Sequence, residues 1–202
     1  MATVRTFIAI EMTPWRDVLA QMQEELRCGP GGGAGRWVRP EAIHLTLKFL
    51  GDVPEERLVD VHAAVDRACQ GFGPLRICPS SLGCFPNAGN PRVVWVGVRE
   101  ETGQRSALQA AVEKELAAVG FAREERPFRA HLTLARIQRR ATRAEARELG
   151  QATLACPAPD EEPIEVNEVC VIKSELKSDG AVYTRLHTAQ LTPSHQSAGA
   201  RS

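Results

Sequence analysis

No stretch of this chain is apolar for long enough to cross a bilayer, and the opening Met1-Ala2-Thr3-Val4-Arg5-Thr6-Phe7 lacks the basic start and apolar stretch of a secretory signal. The cytoplasm is therefore the expected compartment, and no membrane partner is expected. None of the six cysteines stands in a C-x-x-C pair. Cys28, Cys69, Cys78, Cys84, Cys156 and Cys170 are scattered, which removes a zinc ribbon or dithiol redox motif and leaves reduced, mostly buried thiols as the expectation. Net charge is missing too: 25 Lys and Arg balance 25 Asp and Glu, so bulk electrostatics alone will not coat a nucleic acid. The glycine-rich run Gly29-Pro30-Gly31-Gly32-Gly33-Ala34-Gly35 matches neither G-x-x-x-x-G-K-[ST] nor a G-x-G-x-x-G that opens a helix after a strand. It reads as a flexible loop and not as a nucleotide cradle. Histidine is scarce, with five in 202 residues.

Against that scarcity, one tetrapeptide occurs twice: His44-Leu45-Thr46-Leu47 and His131-Leu132-Thr133-Leu134. Each copy lies in an alternating apolar run, the signature of a β-strand with a period of two, so His and Thr share one face while the leucines anchor the other. Two matching half-sites around one cleft are implied. The charge distribution points to the same region. Residues 123–150 hold eight arginines against four glutamates and surround the second copy, whereas residues 151–179 hold seven acids against two lysines.

The remaining pattern gives an α+β chain with mostly antiparallel pairing. Strands are predicted at residues 5–10, 43–49, 75–85, 92–98, 131–135, 164–174 and 182–189. Helices are predicted from Pro14 to about Arg27, over residues 55–69 after a Gly51-Asp52-Val53-Pro54 turn, over 103–119, and briefly over 142–150. Ser178-Asp179-Gly180 reads as the turn of the last hairpin. Residues 1–191 are expected to form a single domain, and the small polar residues of 192–202 a disordered tail.

An unperturbed imidazole titrates near pH 6.5, so of two in one cleft one can take a proton while the other gives one. For a phosphodiester, the neutral ring would activate water and the charged ring would protonate the departing oxygen, with both threonine hydroxyls on the non-bridging oxygens. Neither copy is surrounded by clustered His, Asp or Glu, and Thr is a poor zinc ligand, so the reading calls for no metal and no cofactor. A lone His-x-Thr is usually only a half-buried polar pair; the repeat is what raises it to a candidate site. His62 reads as a helix-face residue, His187 as a strand residue and His195 as part of the tail. Lys48 falls on the face of His44 and Thr46 by alternation and is a candidate phosphate partner, with Ala135 its counterpart. Arg136, Arg139, Arg140, Arg143 and Arg147 read as one basic side of the short helix after the second copy, suited to a nucleic-acid backbone.

With these residues in view, the chain resembles the two-histidine phosphoesterases, specifically the RNA 2′,3′-cyclic phosphodiesterases, also called 2′-5′ RNA ligases. The resemblance is carried by Arg5-Thr6-Phe7-Ile8-Ala9-Ile10, His44-Leu45-Thr46-Leu47-Lys48-Phe49-Leu50-Gly51, Phe85-Pro86 with Arg92-Val93-Val94-Trp95-Val96-Gly97, and His131-Leu132-Thr133-Leu134-Ala135-Arg136. It implies a bilobal α+β fold with pseudo-two-fold symmetry and metal-independent opening of an RNA 2′,3′-cyclic phosphate to a 2′-phosphate, with 2′-5′ ligation as the related reaction. By the same resemblance His44 is the proton donor, His131 the proton acceptor, and Thr46 and Thr133 bind phosphate. The implied partner is RNA with a cyclic phosphate end, tRNA fragments included, with no obligate protein partner. Ala130 replaces the proline common before the second motif, and the loop over residues 29–35 is longer than usual, which bears on the rim of the cleft. Two other readings stay open at this point: a non-catalytic RNA-end-binding module, and a hydrolase of a small cyclic nucleotide phosphate.

Overall fold

The computed structural model describes residues 2–100, 102–177 and 180–193. The strands are β1 (Thr3–Glu11), β2 (Gly35–Trp37), β3 (His44–Pro54), β4 (Leu75–Phe85), β5 (Val93–Arg99), β6 (His131–Ile137), β7 (Ile164–Val166), β8 (Glu168–Lys177) and β9 (Gly180–Gln190). The α-helices among the described residues are α1 (Arg16–Cys28), α2 (Leu58–Cys69), α3 (Gln104–Ala118) and α4 (Arg143–Ala155). The strands form one curled sheet in the order β7-β4-β5-β6-β3-β1-β8-β9, with β2 also paired to β6, and all of these pairings are antiparallel. This is the α+β, bilobal architecture expected.

The two halves of the chain exchange their helices. Following β1, α1 packs on β6 and against α4; following β5, α3 packs on β3 and against α2. Each lobe therefore combines strands and helices from both halves. The main core lies between helices and sheet, where Ile8, Ile10, Leu45 and Leu132 from the strands meet Leu19, Val65, Leu108 and Leu149 from the helices. A smaller cluster of Phe7, Ala9, Cys170 and Ile172, with Tyr183 against it, covers the opposite face of β1 and β8. The alternation along β1 is thus apolar on both faces, as a strand covered on both sides requires.

The lobes meet at one residue pair, Leu45 opposite Leu132 on β3 and β6. Beyond it both strands are bulged at the same place in the tetrapeptide. Ala9 pairs with Thr46 and Ile8 with Lys48, so Leu47 is the extra residue; Trp95 pairs with Thr133 and Val94 with Ala135, so Leu134 is extra. A bulge leaves a carbonyl out of the ladder, and a buried carbonyl needs a donor. A helix glutamine from the other half reaches each: Gln23 Nε2 donates to Leu134 O at 2.8 Å, which also accepts the Val38 N–H at 2.9 Å, and to Val38 O at 2.7 Å, while Gln109 Nε2 reaches Leu47 O at 3.5 Å.

Several sequence expectations change here. Residues 29–35 are not a flexible loop: Gly32, Ala34 and Gly35 are buried, Gly32–Ala34 forms a 3₁₀ turn, and Gly35 starts β2. Glycine is required because Gly31 has φ 71° and a Cβ there would strike the backbone of α4. Gly51-Asp52-Val53-Pro54 is the end of β3, with Gly51 at φ 74° beside a further register shift, and not a turn. The last helix runs past Gly150 to Ala155, because that buried glycine sits against the Ala88 carbonyl and serves close packing instead of termination. Its start is a capping box in which the Thr142 side chain takes the Glu145 N–H and the Glu145 carboxylate takes the Thr142 N–H. The single strand expected over residues 164–174 is divided at Asn167, β7 joining β4 and β8 joining β1 and β9. Thr192, expected in the tail, bridges Gln70 and accepts the Gly71 N–H at 2.8 Å. Ser178, Asp179, His195 and the rest of 194–202 lie outside the described residues. No helix among the described residues is long and apolar enough to cross a membrane, and the six cysteines are free, four of them buried.

Candidate active site

Because Leu45 and Leu132 point into the core, their neighbours point the other way, and the antiparallel register sets His44 across from Thr133 and His131 across from Thr46. All four line one cavity of about 590 Å³ between the lobes. The two imidazoles are held alike. His44 Nδ1 is 2.9 Å from the Ala42 carbonyl and His131 Nδ1 is 2.6 Å from the Arg129 carbonyl, each two residues upstream. A carbonyl can only accept, so Nδ1 carries the proton and Nε2 is left for chemistry.

Aromatic rings fix the other faces of the imidazoles. Phe7 stacks on His44 at 4.6 Å between centroids, with the Tyr183 ring edge-on at 5.1 Å. Phe85 stands perpendicular to His131 at 4.9 Å, and Trp95 lies behind at 6.5 Å. This apolar packing pushes both imidazoles below their usual range. For His44 burial outweighs the Ala42 carbonyl and the Glu11 carboxylate, which favour the charged ring, while His131 and Arg136 lower it further. For His131 burial again leads, opposed by the Arg129 carbonyl and reinforced by Arg136.

Lys48 does not join the face shared by His44 and Thr46. The bulge at Leu47 reverses the alternation, so its ammonium forms a buried ion pair with Glu113 at 2.6 Å and donates to the Ala122 carbonyl at 2.7 Å. Lys48 remains part of the cavity wall, but its charge is already matched. Phe49 takes the cleft-side register position instead, 5.6 Å from Phe7 and largely exposed. In the second copy the same reversal buries Ala135 and turns Arg136 into the cavity. Arg136 is exposed and lies in no ion pair among the described residues, unlike Arg126, which is bound to Glu124.

The five arginines of the predicted basic helix side do not share one helix. Arg136 is on β6, Arg139 and Arg140 lie in the turn after it, and only Arg143 and Arg147 are on α4. Arg139, Arg140 and Arg143 do not line the cavity, and Arg140 is bound to Gln138, which itself holds the Gly33 and Gly35 carbonyls. Residues 29–35 likewise contribute nothing to the cavity wall. Phe7, Phe85 and Tyr183 are missed in the sequence because each reaches the site from another strand, and Arg129, two residues before His131, because it stands outside the repeated tetrapeptide. His62 and His187 stack on each other at 4.6 Å away from the cleft, with His187 Nε2 2.7 Å from Asp66.

The sequence model of the LigT like Phosphoesterase family matches the chain twice, over residues 10–95 and 96–183, once per pseudo-symmetric half. The chain belongs to this family. A curated relative from Methanothermobacter thermautotrophicus, an RNA 2′,3′-cyclic phosphodiesterase, is 33% identical over 190 residues, 93% of this chain and 99% of its own length. One of the same name from Archaeoglobus fulgidus is 37% identical over 138 residues, 68% of this chain and 74% of its own. Among solved structures, a protein from Thermus thermophilus superposes with a TM-score of 0.69 at 32% identity, over 95% of this chain and 100% of that one. The complex of E. coli LigT with 3′-AMP gives 0.72 at 26% identity, over 94% and 99%. The two-lobed sheet and its central cleft are therefore those of a LigT-like phosphoesterase.

Proposed function

We propose that this LigT-like phosphoesterase opens RNA 2′,3′-cyclic phosphate ends to 2′-phosphates by acid–base catalysis between His131 and His44. The observation that carries the reading is the pair of imidazoles whose Nδ1 atoms are tied to backbone carbonyls, leaving two Nε2 atoms on one cleft with two threonine hydroxyls. His131 Nε2 takes a proton from water as the water oxygen bonds to phosphorus. The bond from phosphorus to the 3′-oxygen breaks, and that oxygen leaves with the proton from His44 Nε2. Thr46, Thr133 and the Arg136 guanidinium hold the non-bridging oxygens while negative charge builds. The substrate's own charge favours an imidazolium in a cleft that otherwise favours neutral rings. A 5′-hydroxyl in place of water gives a 2′-5′ linkage by the same proton transfers. The names of the relatives, RNA 2′,3′-cyclic phosphodiesterase, support the substrate class.

The test is hydrolysis of an RNA with a 2′,3′-cyclic phosphate end in excess chelator, with the position of the product phosphate determined. The 2′-phosphate is expected with chelator present; a rate lost to chelation and restored by one divalent ion refutes the mechanism. His44→Ala and His131→Ala should each lower turnover by on the order of 100-fold or more. With a nitrophenyl phosphodiester, whose leaving group needs no proton, His44→Ala should regain much of its rate and His131→Ala should not. Recovery of His131→Ala instead reverses the roles.

A further inference from the structure

The two catalytic half-sites are built alike, with the same tetrapeptide, the same bulge, the same Nδ1 anchor and an aromatic cradle each. One turnover nevertheless needs one acid and one base, so something outside the tetrapeptides must tell them apart. The residues directly across the ladder differ. His44 on β3 is opposite Glu11 on β1, whereas His131 on β6 is opposite Gly97 on β5. Gly97 is buried, and a Cβ there would collide with the Ser80 hydroxyl, so that position holds no side chain of any kind.

We propose that Glu11 is a positioning residue that keeps the proton on His44 and so fixes the direction of proton flow, and that Arg185 sets the strength of its influence. The inference rests on the reading of His44 as the acid. Directly opposed residues of an antiparallel pair share a face, so the Glu11 carboxylate belongs to the His44 side of the cleft. It is not a free charge. Arg185 from β9 is ion-paired to Glu11, and the same guanidinium binds Glu168 of β8 at 3.1 Å. The other titratable neighbours are Cys170 on β8, with its thiol pushed up to about 11, and Tyr183 on β9, also raised, so both are uncharged near neutrality. From β6, the charges of Arg136 and of a protonated His131 oppose a charge on His44. Glu11 is the nearby negative group that offsets them, and it favours the charged form of His44 without acting on His131.

The experiment is an NMR titration of both imidazoles in the full chain, in wild type, Glu11→Gln and Arg185→Met, beside the pH dependence of kcat and KM for a 2′,3′-cyclic mononucleotide. Glu11→Gln should lower the His44 midpoint, Arg185→Met should raise it by leaving the carboxylate unopposed, and His131 should stay in place in both. In Glu11→Gln the fall of kcat at high pH should begin earlier, the loss above neutral pH reaching on the order of tenfold, part of the roughly 100-fold assigned to the acid. KM and the rate on a nitrophenyl phosphodiester should hold. A merely structural role moves neither midpoint in opposite senses in the two variants. An unmoved His44 midpoint, or equal shifts at both histidines, overturns the role of Glu11 while leaving the acid assignment intact. A His44 midpoint that moves while the high-pH fall of kcat does not overturns the acid assignment, and with it any role for Glu11 in the direction of proton flow.

Discussion

His44 and His131 each couple the site's chemistry to the protein's stability. In the fold both titrate below the ordinary value of 6.5, with burial the leading cause, whereas in the unfolded chain they return to it. Between the two values the unfolded state binds more protons, so stability is fully present above the unfolded value and is lost as pH falls through the window. Replacing both by Asn should flatten this dependence: the thermal midpoint should drop less than that of wild type between about pH 8 and about pH 5. Equal drops would show that the rings titrate normally in the fold. Lys48 is the residue at which alternation misleads. One extra residue at Leu47 moves the lysine under the strand to Glu113 and gives its cleft position to Phe49.

At the scale of elements, α4 and the turn before it carry two expectations. Exposed helix interiors gain about 1 kcal/mol when Gly is replaced by Ala. At Gly150 the sign should invert, because a Cβ would overlap the Ala88 carbonyl and overpacking costs about 1–3 kcal/mol. Gly150→Ala should therefore lower the urea midpoint; an increase would mean that the backbone at Ala88 yields freely. Arg139, Arg140 and Arg143 lie together at the entry to α4 but outside the cavity. Replacing all three should weaken binding to long RNA and reduce its salt dependence while turnover of a cyclic mononucleotide holds. Unchanged affinity and salt slope would leave them as a solvated surface.

For the whole molecule, the exchange of helices makes each half incomplete. Leu19, Met22 and Leu26 of α1 are buried in a helix that packs on β6 and α4, which belong to the other half. Residues 1–95 and 96–202 made separately should each lack a cooperative unfolding transition, and mixing them should restore one. Cooperative unfolding of either half alone would show that it folds without its partner.

The residue pattern by itself determined the strands that carry the two tetrapeptides, the sharing of one face by His and Thr, and most helices, because these follow from periods of two and 3.6 along a continuous stretch. Its errors fall where a residue's role depends on something distant. Gly150 and residues 29–35 look like breaks until the backbone they pack against is known, and a strand divided at Asn167 is continuous until each part finds its own neighbour. Only the tertiary structure decided the bulges, which depend on pairing with β1 and β5, and the aromatic cradles, drawn from β1, β4, β5 and β9. It also decided the difference between two identical tetrapeptides, since Glu11 and Gly97 acquire their meaning from the ladder positions that set them opposite His44 and His131.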